Sequence, residues 1–138
     1  MHIKNFPAVP LWEKLMRLDY RSPLADDAKF CALSGNDRQR VELFIKDTGD
    51  ATYTLIALAG PESKPAVKVK LQGPYHSFQQ ARAAMNAIAG SLLNINFDLL
   101  ENAVSIWGLQ AQAQARRLRQ ERKQNMGDYR FNPDDVYF

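Results

Sequence analysis

The chain has little of what most catalytic centres are built from. It holds one cysteine, Cys31, and two histidines, His2 and His76. One cysteine excludes an intramolecular disulfide, and with so few soft ligands there is no HExxH, no CxxC pair and no spacing suited to zinc. The seven glycines form neither a Gly-x-Gly-x-x-Gly nor a Walker pattern, so no phosphate cradle is legible. Long apolar runs are missing as well. No stretch approaches the ~20 apolar residues of a membrane span, and the opening Met-His-Ile-Lys-Asn-Phe-Pro lacks the apolar run of a signal peptide. These absences lead to the expectation of a soluble, cytoplasmic, non-enzymatic protein with no cofactor, no metal and no membrane partner.

The ingredients of a core are present. With 138 residues, 46% apolar and 10% aromatic, the chain can bury one domain's worth of side chains. A formal charge of +3 is too small to imply nucleic acid unless the cations cluster. Cys31, set in Lys-Phe-Cys-Ala-Leu, reads as a small buried apolar side chain, and a Cys31–His76 nucleophile has no signature around either residue. The adjacent pairs Asp26-Asp27 and Asp134-Asp135 do not place two carboxylates in contrasted surroundings, so both read as solvated loop charge.

Local patterns predict the elements. Pro10 fits the first turn of a helix, and Leu11, Trp12, Leu15, Met16 and Leu18 recur at helical spacing up to Ser22-Pro23, which predicts an amphipathic helix over 10–20. Lys29 to Leu33 reads as a short edge strand. Val41, Leu43 and Ile45 alternate with Glu42, Phe44 and Lys46; Asp47-Thr-Gly49-Asp then turns the chain into the β-rich run Thr52 to Ala59. Val67, Val69 and Leu71 alternate with Lys68, Lys70 and Gln72 in a further strand. Ser77-Phe-Gln-Gln80 matches a capping box, and Phe78, Ala81, Met85, Ile88 and Leu92 line one stripe of the helix that follows, which is expected to cover the Val67/Val69/Leu71 face.

Residues 98–124 read as one long helix. Asp98 and Glu101 repeat the cap spacing, Val104, Trp107, Ala111, Ala115 and Leu118 form a seam, and Gly127 ends the pattern. Such a helix spans about 40 Å, more than a domain this small can cover, so part of it should meet a partner. The predicted architecture is α+β: an antiparallel meander of three or four strands covered by a helix, with an N-terminal helix and a long C-terminal helix. Residues 1–97 form the core, 98–124 the helix of the same single domain, and 125–138 an aromatic tail.

Two surfaces carry the functional reading. Trp107 on the helix and Tyr129, Phe131, Tyr137 and Phe138 in the tail suit a protein interface, with a partner protein or a second copy in a homodimer, because aromatics and arginine dominate interface energies; the equal alternative is that Trp107 closes the chain's own core and the tail covers the other side of the sheet. Residues 116–123 carry five cations and one acid: Arg116, Arg117, Arg119, Arg122 and Lys123 against Glu121. Together with Lys68 and Lys70 on the sheet they suit phosphates, so the alternative is a DNA- or RNA-binding accessory protein. Against that stands the bland reading that cations at a helix C-terminus complement its dipole, at about 0.3–1 kcal/mol each.

Overall fold

The computed structural model describes residues 24, 25 and 27–124. The helix predicted over 10–20 and the tail over 125–138 lie outside the described residues.

Five strands form one antiparallel sheet. They are β1 (Phe30–Ser34), β2 (Gln39–Gly49), β3 (Thr52–Pro61), β4 (Lys68–Tyr75) and β5 (Asp98–Leu100), in the spatial order β4-β3-β2-β1-β5. Two α-helices, α1 (Phe78–Asn94) and α2 (Gly108–Gln124), and a single 3-10 turn at Asn36–Arg38 complete the described elements. The β2–β3 hairpin closes through Asp50 and Ala51, both at positive φ, and the register shifts at Thr48, between Asp47 and Gly49, the latter at φ 93. The Asp47 carboxylate accepts from the Gly49 N–H at 2.9 Å and steadies that turn.

Alternation along each strand divides the apolar side chains between two faces. Cys31, Leu33, Leu43, Ile45 and Leu55 pack with Ala81, Met85 and Ala89 of α1. Phe44, Ile56, Leu58 and Leu71 pack with Trp107, Ala111 and Ala115 around α2. The sheet is therefore covered by a different helix on each face. The start of α1 is fixed locally: Ser77 Oγ accepts from the Gln80 N–H at 3.1 Å, and Gln80 Oε1 accepts from the His76 N–H at 3.0 Å.

The predicted architecture is overturned in three places. The sheet has five strands, because Asp98–Leu100 pairs with β1 (Ser34 with Asp98, Leu33 with Leu99, Ala32 with Leu100) and so makes β1 an inner strand. The expected helix over 98–124 shrinks to the 17 residues of α2, about 26 Å long. Asn102 at φ 56 follows β5, and residues 101–107 cross to the other face before α2 begins. Finally, α1 does not cover Val67, Val69 and Leu71: Leu71 belongs to the α2-side core, while Val67 and Val69 are 69% and 43% exposed. A three-residue strand leaves no periodic signature, and Asp98 with Glu101 imitates a cap.

Candidate protein interface

A carboxylate in the middle of the sheet positions α2. Glu42 lies on β2 between Ala32 of β1 and Leu58 of β3 and has no exposed surface. Its Oε1 accepts from Ser105 Oγ at 2.8 Å and from the Trp107 N–H at 3.1 Å; its Oε2 accepts from the Ile106 N–H at 2.9 Å and from Arg40 Nε at 2.8 Å. Arg40, two residues away on the same face, also donates from Nη2 to the Val104 carbonyl at 2.8 Å. Glu42 thus caps a helix more than sixty residues later, satisfying backbone donors just ahead of its first turn. Every oxygen of this buried charge is occupied, which leaves Glu42 a structural anchor with no lone pair aimed at a ligand.

Further contacts pin the helix along its length. Trp107 Nε1 donates to the Lys64 carbonyl at 2.9 Å, and Gln110 makes a two-way amide pair with the Ala66 backbone, at 2.8 and 3.3 Å. At the far end Arg119 Nε donates to the Asp47 carbonyl at 2.9 Å. Beneath lies a self-satisfied hydroxyl cluster: Thr48 Oγ1 sits 3.0 Å from Thr54 Oγ1, and Thr52 Oγ1 donates to the Gly49 carbonyl.

These contacts relocate the predicted site residues. Trp107, read as an interface aromatic, is 3% exposed and sealed in the α2-side core. Tyr129, Phe131, Tyr137 and Phe138 lie outside the described residues. Arg116, Arg117, Arg119 and Lys123 are exposed and Arg122 is half-buried; Arg117 pairs with Glu121 at 3.7 Å. Lys68 and Lys70 are exposed on β4, but their register partners Ala59 and Ala57 place them on the α1 face. The lysines and the arginines therefore sit on opposite sides of the sheet, and the structure does not bring them together.

A different surface emerges beside α2. Val104 and Leu109 are each 82% exposed and Ile106 is 47% exposed, grouped where the crossing segment enters the helix. Next to them an open groove of about 780 Å³ has Phe30, Phe44, Ile106 and Leu109 as its apolar part and Lys29, Lys46, Asp47 and Gln112 as polar lining. Lys46 Nζ stands 5.7 Å from the centre of the Phe44 ring. Gly108 and Gln112 line this groove, and the i+3/i+4 spacing continues the same flank through Arg116, Arg119 and Lys123. The helical periodicity puts Val104 on one seam with Trp107 and leaves out Ile106 and Leu109, because it runs through a crossing that is not helical. The signal for the Arg40–Glu42 pair is two opposite charges two apart, leading into the apolar run Leu43–Ile45.

The remaining reactive groups do not converge. Cys31 is buried among apolar side chains, which pushes its thiol up to about 12, and His76 is exposed at the mouth of α1. Among the described residues no three His, Cys, Asp or Glu side chains gather as a metal site would require, and no helix is long and apolar enough to cross a membrane. The chain belongs to the PA4575-like protein family, whose sequence model matches residues 16–135. No curated protein and no solved structure matches it. The family description names no activity.

Proposed function

We propose that this chain is a non-enzymatic binding module, working in the cytoplasm, that recognises a partner protein through the groove flank of α2 and the segment leading into it. The observation that carries this reading is the exposure of Ile106 and Leu109 in the lining of a groove, with exposed Val104 two residues ahead, on a backbone that Glu42 and Arg40 hold in place. Apolar side chains on a fixed support form the centre of an interface at little ordering cost, while Lys29, Lys46, Arg116 and Arg119 around it favour an apolar segment flanked by acids. The same cations disfavour a second copy, because a two-fold pair sets like surfaces against each other. A free thiol at Cys31 suits a reducing compartment.

The test is photo-crosslinking in cells with benzoylphenylalanine in place of Leu109, and in place of the exposed Ala87 on α1 as control. A discrete protein adduct should form from position 109 alone, and that protein, once purified, should bind the full chain at least tenfold more weakly after Leu109→Glu. Identical adducts from both positions, or none, would contradict the reading, and light scattering on the pure chain separates out a homodimer.

The basic stripe of Arg116, Arg119 and Lys123 supports a second reading, nucleic-acid binding, now without Lys68 and Lys70. Fluorescence anisotropy with duplex DNA and RNA across a salt series should then show steeply weakening binding that Arg116→Glu with Arg119→Glu abolishes. No binding at low salt ends that alternative.

A further inference from the structure

The outer edge of β4 is a second, independent surface. It is one end of the sheet, and no strand among the described residues pairs with it. Edge strands present unpaired backbone N–H and C=O groups that can template another strand. Residues 67–70 are all exposed, with Val67 and Val69 showing 69% and 43% of their surface. Pro65 lies just ahead of the strand and Pro74 near its end, and since proline has no N–H to offer a ladder, the usable window runs to Gln72 from Val67, whose own N–H already donates to the Ala59 carbonyl at 2.9 Å.

The side chains of this window define what fits. Val67, Val69 and Leu71 fall on one face and Lys68, Lys70 and Gln72 on the other, and the inner neighbours of the two lysines are Ala59 and Ala57, which carry no charge. Among the described residues neither lysine's ammonium group has an ion-pair or hydrogen-bond partner. A second copy is a poor occupant: antiparallel registers centred on residues 68 to 70 set lysine directly opposite lysine, which is unfavourable. Nucleic acid is served no better, because stacking needs aromatic platforms and the side chain between the two lysines is Val69.

We propose that the edge of β4 binds by strand addition an extended segment of a partner protein in which acidic and apolar residues alternate. The acids lie opposite Lys68 and Lys70 and the apolar residues beside Val67 and Val69, with main-chain hydrogen bonds supplying affinity and the lysines the selection. This surface is separate from the groove along α2, and neither requires the other.

The probes are two capped synthetic heptapeptides, Glu-Val-Glu-Val-Glu-Val-Glu and its lysine counterpart Lys-Val-Lys-Val-Lys-Val-Lys, titrated into the ¹⁵N-labelled full chain at low salt, with a thymidine oligonucleotide as a third arm. The acidic peptide should shift amides of residues 67–72 and leave those of α2 in place. Lys68→Glu with Lys70→Glu should weaken it at least tenfold and transfer the preference to the lysine peptide. Methylating the peptide's backbone nitrogens on the pairing edge should abolish binding. The inference is overturned if millimolar acidic peptide leaves residues 67–72 unmoved, if both peptides act equally, if the shifts fall on the α2 groove, or if the oligonucleotide alone produces them.

Discussion

The two helices cover opposite faces of one sheet, yet they are held by different means. α1 is self-contained: Ser77 and Gln80 close its first turn from within the segment, and Ala81, Met85 and Ala89 bury its stripe against Leu43 and Leu55. α2 borrows its start from β2, through a carboxylate with no exposed surface, and its sides from the Lys64 and Ala66 backbone. A helix placed by local chemistry is tolerant of change elsewhere. One placed by a buried charge depends on every donor being in register, and the segment ahead of it becomes a rigid support for whatever it exposes.

This contrast is most open to attack at Glu42. Glu42→Ala leaves Arg40, Ser105 and two backbone N–H groups without their acceptor in a buried site, and unfolding in urea should show a loss of about 3–5 kcal/mol. On the other face Met85→Ala opens a cavity under α1 and should cost about 2–5 kcal/mol, with α2 remaining as helical by amide shifts as before. If Met85→Ala loosened α2 first, the two faces would not be separable.

The α1-side core also has a pH signature. The Cys31 thiol, raised from 9.0 to about 12 by burial, binds its proton more tightly folded than unfolded. Its contribution is therefore fully present below about pH 9 and is lost as pH rises from there through 12. Stability should fall less steeply above pH 9 in Cys31→Ala, and iodoacetamide at pH 8 should leave the native thiol unmodified while alkylating the urea-unfolded chain; rapid native alkylation would place Cys31 outside the core.

The smallest effects sharpen the comparison further. Ser77→Ala removes one local cap and should cost about 1 kcal/mol, several-fold less than loss of the distant Glu42 cap. Leu109→Ala should change stability by no more than about 0.5 kcal/mol, since the side chain is 82% exposed. A larger loss at Leu109 would mean that it serves the fold and is not held out for a partner.

The same difference explains what was legible. Ser77 and Gln80 lie three apart, and the alternation of Val41, Leu43 and Ile45 has a period of two, so α1 and the β2–β3 hairpin can be read from a few neighbouring residues. The start of α2 cannot, because its cap is encoded at position 42. Asp98 and Glu101 offered a local cap that tertiary pairing with β1 overrode. Trp107 carried an interface composition but filled the core, and Val104 carried a core pattern but faces solvent. Patterning reports which residues are apolar; it does not report which side of a non-helical crossing they turn to.

Amide hydrogen exchange on the unmodified chain bears most directly on the claim that the buried carboxylate turns the crossing segment into a fixed support. Ile106 and Trp107 precede the first residue of α2, so without the Glu42 acceptor their N–H groups would have no reason to be protected. The expected result is exchange at these two amides as slow as at Ala111 within the helix. Exchange at the rate of an unstructured peptide, with Ala111 still protected, would contradict the account.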